Sequence, residues 1–210
     1  CMRRTAEDAA KTRVALLEAA LIAFEEKGWR GATFEHIAER AGVTRGALHH
    51  HFRDKRTLLA EALEWGWSDY GQRLFDTVSP ATGDTGSADG TVALDERAHR
   101  AVEELLARFV RLITGDRVFR ALASTTVLVA PQAFEHYDKG DALNDWRERI
   151  DGIVASRRGA TNVAPRDIAG LVLVLLQGFT VAAVTRPDDL PQPDRLDATM
   201  AALVKGLLET

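Results

Sequence analysis

The stretch TFEHIAERAGVTRGALHHHFRDKRTLL, residues 33–59, decides how the N-terminal part of this chain folds. Thr33 is a good N-cap for a first short helix, and Gly42 can adopt the positive φ of a tight turn. Thr44 then opens a second short helix that ends just after three histidines. Two short helices joined in this way predict a helix-turn-helix over residues 33–52.

The second helix would present its N-terminal half outward, because Ile37 and Leu48 face inward and hold the pair of helices together. An exposed helix start of this kind fits the major groove of DNA. Thr44 both caps the helix and can reach a phosphate, and Arg45 can offer two parallel donors to a guanine edge. Gly46 has no side chain, so the backbone can approach DNA closely. These features predict a recognition helix.

Three consecutive histidines, His49, His50 and His51, follow on the same helix. Successive residues project about 100° apart on a helix, so the three cannot ligate one metal without unwinding it. No Asp, Glu or Cys stands at a spacing that completes a metal shell. A catalytic histidine would need partners brought in by the fold, and plain exposure or helix packing is the simpler alternative. We expect no metal, with His49 and His50 facing DNA and His51 closing the unit against the next helix or a phosphate.

Residues 33–59 resemble the DNA-binding signature of the TetR family of bacterial transcription repressors. The residues that match the family pattern are Thr33, Ala41, Gly42, Val43, Gly46, Leu48, His51, Phe52 and Lys55. The sequence departs from the pattern at His49, because the family usually has a tyrosine there that commonly touches a phosphate. A histidine donates more weakly and in a pH-dependent way. The predicted DNA contacts are Thr33, Thr44, Arg45, Gly46, His49, His50, His51 and Lys55.

Helical spacing continues along the rest of the chain, and no segment shows sustained period-two alternation. The predicted fold is therefore all-α. About nine helices are expected, near residues 6–27, 33–41, 44–52, 54–78, 95–114, 117–129, 133–158, 166–185 and 194–208. Gly28 would end the first helix and Asp54 would cap the fourth, while Pro165 and Pro193 suit the starts of the last two. Residues 79–91, rich in Gly, Ser and Asp, predict a mobile surface loop.

The resemblance implies a TetR-type helix-turn-helix DNA-binding domain at residues 10–70 and a ligand-binding and dimerisation domain at residues 71–210. Charge agrees with this division, because residues 1–60 hold 11 Lys and Arg against 8 Asp and Glu, and the rest holds 16 against 23. A basic end on an acidic body indicates that one end meets an anion. A single cysteine, Cys1, and a polar start without a secretory signal are expected of a cytoplasmic protein.

The helix at residues 168–184 is apolar on every side. It is slightly shorter than a membrane span and contains Gln177, Gly178 and Thr180, so we expect a core or interface helix and no membrane. The resemblance implies a homodimer formed through the last two helices, which agrees with their apolar spacing. The alternative is that both helices bury within one chain. The predicted dimer residues are Leu171, Leu175, Phe179, Met200, Leu203 and Leu207.

Aromatic and polar side chains of the central helices predict an apolar pocket for a small-molecule effector, which the resemblance also implies. The predicted lining is Trp67, Tyr70, Phe109, Thr126, Phe134, Tyr137, Trp146 and Gln177, with Phe119, Thr125 and His136 as further candidates. Aromatic residues at helical spacing are more often ordinary core, which is the alternative for each of them.

These expectations combine into a ligand-responsive, dimeric transcription regulator without a cofactor, most simply a repressor that a small molecule releases from a palindromic operator. The long helix that follows Asp54 would carry the effect of the ligand to the DNA-binding unit. An all-helical enzyme acting on a small apolar substrate is the alternative, but the sequence holds no nucleophile elbow, phosphate loop or HExxH motif. A purely architectural DNA binder, the second alternative, would need a basic body, whereas residues 61–210 of this chain are acidic in balance.

Overall fold

The computed structural model describes residues 6–75, 88–134, 140–155 and 163–208. Within these ranges the chain is helical and holds no β-strand, as predicted. The helices are α1 (Ala6–Gly31), α2 (Phe34–Arg40), α3 (Arg45–His51), α4 (Lys55–Phe75), α5 (Ala88–Gly115), α6 (Arg117–Ser124), α7 (Ala130–Ala133), α8 (Gly140–Ala155), α9 (Pro165–Thr185) and α10 (Leu196–Leu208). A π-helical turn, Thr125–Val129, joins α6 to α7. If α6, the π-helical turn and α7 are counted as one helix, the described ranges contain nine helices, which is the predicted number.

The ends of the first and fourth helices follow the predicted backbone chemistry. Gly28 adopts a φ of +67° inside α1, so the regular part of this helix ends just before it. Asp54 accepts a hydrogen bond of 2.8 Å from the N–H of Thr57 and thereby caps α4. A left-handed residue and a side-chain cap are both local devices, which is why the sequence alone indicates them.

The loop predicted for residues 79–91 is too long at its C-terminal end. α5 begins at Ala88, so residues 88–91 are helical, and that part of the prediction is wrong. Asp89 and Gly90 are poor helix formers, but a helix that has nucleated further along gains one hydrogen bond for each residue that it adds. Residues 79–87 lie outside the described ranges.

The single helix predicted for residues 133–158 is also wrong at its start. Ala133 is the last residue of α7, and Phe134 has extended backbone angles, with φ −121° and ψ 121°. α7 itself is a continuation of the preceding helical run, and Pro131, which follows the π-helical turn, has no N–H to donate within that run. Ala130, Ala133 and Phe134 keep helical spacing up to the break, so the apolar spacing does not indicate that the helix ends there.

The helices form two compact units. The first contains α1, α2, α3, the part of α4 up to Tyr70, and the run from Asp116 through α7. Within it α1 packs against α2, α6 and the π-helical turn. The buried residues of α1 include Leu16, Leu17, Ala20, Leu21 and Phe24. The second unit contains the rest of α4 with α5, α8, α9 and α10, and there α5 packs against the other three. The functional division at residues 10–70 and 71–210 stays a prediction.

The last helix, α10, buries one apolar face inside the second unit. α10 packs against α5 through a stripe at spacings of four, namely Leu196, Met200, Val204 and Leu208. Met200 is 1% exposed and lies in the core of the second unit, so its assignment to a dimer interface is corrected. The predicted stripe and the observed one share Met200 but diverge after it, because spacings of three and of four both follow a helix face.

Candidate nucleic-acid interface

The turn between α2 and α3 is held by hydrogen bonds that its sequence supplies. Thr33 has extended backbone angles, and its hydroxyl accepts from the N–H of His36 at 3.3 Å, which caps α2. At the other end of α2, Gly42 adopts a φ of +66° and donates to the carbonyl of Glu39 at 3.1 Å. Val43 donates to the carbonyl of Ala38 at 3.0 Å. This pair of bonds is the Schellman arrangement, in which a left-handed residue ends the helix.

α3 is fixed against α2 on one side only. Thr44 caps it by accepting from the N–H of Ala47 at 3.1 Å. Leu48 and Ile37 are fully buried, and Phe52, which follows the helix, is buried as well. Five of the residues predicted to meet DNA are exposed on α3 and at its cap, namely Thr44, Arg45, Gly46, His49 and His50.

Arg45 is held by two neighbours on the exposed face. Its Nη1 lies 2.7 Å from Oε1 of Glu35, in the first turn of α2. Its Nε donates to Nε2 of His49, one turn further along α3, at 3.4 Å. The ring of His49 in turn lies 4.8 Å, centroid to centroid, from the ring of Phe34. The guanidinium is therefore positioned before any DNA is present.

Glu35 is ionised at neutral pH in this arrangement. A hydrogen bond from its own backbone N–H holds the pKa of the carboxyl below its ordinary value, and the nearby charge of Arg45 acts in the same direction. Desolvation of the carboxyl raises its pKa and opposes these effects, but the net shift is downward. Sequence reasoning missed this residue, because it considered α2 only as the support of α3.

The protein atoms around Gly46 leave room for a larger side chain. A Cβ added at this position would meet only the hydroxyl oxygen of Thr44, at 3.9 Å, which is an ordinary contact. The residue is exposed and its φ is negative, so neither packing nor backbone conformation inside the chain demands glycine there.

The other histidines and Lys55 have different surroundings. His50 is exposed and His51 is half-buried, with their rings 5.8 Å apart in an edge-on arrangement. Over the described part of the chain, no group of three or more His, Cys, Asp or Glu is arranged to hold a metal ion. Lys55 donates from Nζ to the carbonyl of Trp29 at 2.5 Å and lies 4.3 Å from that indole ring. Its partial burial lowers the pKa of its ammonium group.

A charged cluster that the sequence did not indicate joins α6 to the end of α1. Glu25 accepts from Nε of Arg120 at 3.0 Å and from the hydroxyl of Ser124 at 3.2 Å. The adjacent Glu26 pairs with Arg117 at 2.5 Å through one oxygen and with Arg40, the last residue of α2, through the other. Paired glutamates at a helix end are visible in the sequence, but their partners 91 and 95 residues away are not.

The predicted pocket residues fall into two groups. In the first unit, Trp67 donates from its indole N–H to the hydroxyl of Thr126 at 3.0 Å, and Tyr70 donates to Asp116 at 2.8 Å. Both rings pack edge-on against Phe119. Phe134 is half-buried in the same unit.

In the second unit, Phe109 and Trp146 are buried against each other, with ring centroids 6.4 Å apart. Gln177 is exposed on α9, and Tyr137 and His136 lie outside the described residues. The pocket stays a prediction.

The predicted dimer residues other than Met200 lie at least partly at the surface. Leu171 is 48% exposed, Leu175 and Phe179 on α9 are half-buried, and so are Leu203 and Leu207 on α10. α9 buries one face inside its unit and carries exposed apolar residues on the other, namely Leu171, Val174, Val181 and Val184. In the described part of the chain, α9 alone is long and apolar enough to cross a membrane, by length and composition only.

Comparison with known proteins supports the interpretation of the first unit. Residues 16–62 match the sequence model of the family described as bacterial regulatory proteins, tetR family. Over 82 residues the chain is 37% identical to the HTH-type transcriptional regulator AcrR of Shigella flexneri, a match that covers 39% of this chain and 38% of AcrR. Over 54 residues it is 54% identical to the HTH-type transcriptional repressor BepR of Brucella suis biovar 1, covering 26% of each protein. The chain therefore spans well under half the length of these relatives.

The similarity in fold extends further than the similarity in sequence. The fatty acid degradation regulator FadR from Bacillus halodurans superimposes with a TM-score of 0.71 at 15% identity, over 99% of this chain and 97% of that one. At this level of identity the likeness concerns the fold alone. The helix-turn-helix at residues 33–52 lies within residues 16–62, so the part of the chain that is similar to the tetR family of bacterial regulatory proteins is its N-terminal helical part.

Proposed function

We propose that this protein is a dimeric, ligand-responsive transcription repressor that binds a palindromic operator and leaves it when a small molecule binds. The observation that carries the proposal is the exposed face of α3, which presents Arg45, Gly46 and the histidines on a helix fixed from behind by Leu48. The names of the relatives agree with DNA-dependent regulation rather than catalysis. We accordingly place the protein in the cytoplasm, as a regulator and not an enzyme.

In this proposal α3 enters the major groove and reads it from its N-terminal half. Arg45 offers parallel N–H donors to a guanine edge, and Gly46 allows the backbone to come close to the DNA. Thr33, Thr44, His49, His50, His51 and Lys55 would contact phosphates or the groove edge. Lys55 is already tied to Trp29, so it would act by fixing the unit as much as by its charge.

The homodimer would form through the exposed apolar face of α9 and the half-buried residues of α10. A helix that is apolar on both faces needs a second surface to cover the face left open in one chain. A two-fold dimer then holds two α3 helices about 34–36 Å apart, which corresponds to one turn of DNA. A membrane would cover the same face, and the oligomeric state decides between these two occupants.

The effector would bind among the helices of the body and change the position of α6 or α4. The first unit supports this proposal through its polar-anchored aromatic residues, Trp67 on Thr126 and Tyr70 on Asp116. α6 is joined to the ends of α1 and α2 through Glu25 and Glu26, so its movement would reach the DNA-binding helices. The effector must bind the two states with different affinities, since equal affinity shifts nothing.

The proposal is tested by selecting binding sites from a pool of random duplexes with the purified chain. The expected result is enrichment of an inverted repeat whose half-sites lie one helical turn apart and which binds two chains. Failure to enrich any sequence over the starting pool would overturn the proposed function, whatever the affinity for DNA in general.

A further inference from the structure

The contact between Glu35 and Arg45 has consequences for which part of DNA Arg45 can bind. Glu35 places a negative charge 2.7 Å from a nitrogen of the Arg45 guanidinium, so the pair as a whole is neutral although each side chain keeps its charge. The pair therefore attracts a phosphate less strongly than Arg45 alone would. The remaining N–H groups still donate hydrogen bonds, because pairing with one carboxylate uses only part of the five donors of an arginine.

His49 further restricts which groups of the DNA Arg45 can bind. Its Nε2 accepts from Nε of Arg45, so the guanidinium is held on two sides, by a carboxylate from α2 and an imidazole from α3. The base edges of the major groove offer neutral acceptors in a fixed geometry, whereas phosphates offer charge. A guanidinium that is positioned beside a carboxylate has a lower affinity for phosphates and keeps its fit to two acceptors on guanine.

We propose that Glu35 is a specificity-determining residue, which suppresses binding of Arg45 to the phosphates of random DNA and leaves its contact with a base edge intact. This inference rests on the proposed function and names the residue that separates specific from non-specific binding. Glu35 itself touches no base. It acts through Arg45, and its depressed pKa keeps it charged over the pH range in which the protein would bind DNA.

The test is a cycle of variants measured on two duplexes, one selected by the wild-type chain and one with the same composition in scrambled order. The variants are Glu35→Gln, Arg45→Ala and the double variant, with Glu39→Gln as the matched control. Glu39 is exposed on the same helix and has the same charge, so its change reports the general effect of removing one negative charge from α2. Affinity is measured over a salt series for each protein.

In the protein that keeps Arg45, Glu35→Gln should tighten binding to the scrambled duplex. The gain in affinity should be about threefold larger than the gain from Glu39→Gln. Glu35→Gln should also steepen the salt dependence by up to about 0.9, the slope expected of one new phosphate contact. Affinity for the selected duplex should change less, so the ratio of the two affinities falls. In the Arg45→Ala background, Glu35→Gln and Glu39→Gln should act alike.

Equal effects of Glu35→Gln and Glu39→Gln in both backgrounds would overturn the proposal, because Glu35 would then act only through general repulsion. An unchanged ratio of the two affinities in Glu35→Gln would overturn it as well. A wild-type chain that does not prefer the selected duplex is a different outcome, which contradicts the proposed function. The scrambled duplex still reports in that case whether Glu35 restrains the charge of Arg45.

Discussion

Arg120 donates from Nε to the carboxylate of Glu25 at 3.0 Å, although the two residues are 95 positions apart in the sequence. The side chain of Glu25 is only 8% exposed, whereas that of Arg120 is 36% exposed. The carboxylate is thus the desolvated partner, and apart from Arg120 it has the hydroxyl of Ser124. This contact fastens α6 to α1 inside the first unit.

Replacing Arg120 with Met should lower the free energy of unfolding by about 1–3 kcal/mol, because a buried carboxylate is left with a single neutral donor. Arg117→Met is the control on the same helix, since Arg117 pairs with the more exposed Glu26. That exposed pair should contribute less than about 1 kcal/mol. Urea unfolding of both variants measures the difference, and equal losses would show that burial of Glu25 has no special cost.

Gly46→Ala should separate stability from DNA binding. Alanine fits the space and is a better helix former, so the free energy of unfolding should rise by about 0.5–1 kcal/mol. Binding to the selected duplex should weaken, because the new methyl group stands where the backbone approaches DNA. Gly152→Ala on α8, another position with open space, should raise stability without changing DNA affinity. Undiminished DNA binding by Gly46→Ala would place the DNA elsewhere on the unit.

Val174→Glu should turn the proposed dimer into a monomer. Val174 is 62% exposed on the open face of α9, so the carboxylate is hydrated in a single chain and buried only when two chains meet. Sedimentation at low protein concentration measures the change, with Val14→Glu, an exposed apolar position on α1, as the control. A Val174→Glu protein that sediments like the wild-type dimer would move the interface to another face. Wild-type chain that sediments only with added lipid vesicles would favour the membrane as the occupant.

Acid should weaken the start of α4 through Asp54. The hydrogen bond from the backbone N–H of Thr57 holds the pKa of this carboxyl below its ordinary value of 3.8. A depressed pKa in the folded state means that the stabilisation is present above about pH 3.8 and disappears as the pH falls through the lower folded value. Thermal unfolding from pH 7 to pH 3 should therefore show a smaller acid loss for Asp54→Asn than for the wild type. If the two proteins lose thermal stability equally as the pH falls, the cap at Asp54 contributes nothing to stability.

How much of the molecule the sequence predicts depends on how local the responsible interactions are. The caps at Thr33, Thr44 and Asp54 and the left-handed Gly42 act within a few residues, so the helix-turn-helix was predicted correctly from the sequence. The pairing of Arg45 with Glu35 bridges only ten residues, but it depends on how α2 and α3 cross, which no spacing indicates.

Features that depend on contacts between distant parts of the chain could not be predicted from the sequence either, because they depend on how the helices pack. Met200 satisfies the spacing of an interface helix and of a core helix equally, and only the packing of α10 on α5 decides between them. The link from Glu25 and Glu26 to α6 joins residues that only the folded chain brings together. Hydrophobic period therefore predicts that a helix has a buried face, and tertiary packing decides what covers it.

The measurement that tests the central claim most directly is the affinity of the wild-type chain and of Arg45→Ala for the selected and the scrambled duplex at one fixed salt concentration. If α3 reads the major groove through Arg45, the variant should lose about 1–3 kcal/mol of binding free energy on the selected duplex. It should lose much less on the scrambled duplex, and preference at one base position should relax. Equal losses on the two duplexes would contradict the account, because Arg45 would then contact phosphate alone and sequence would be read by some other part of the chain.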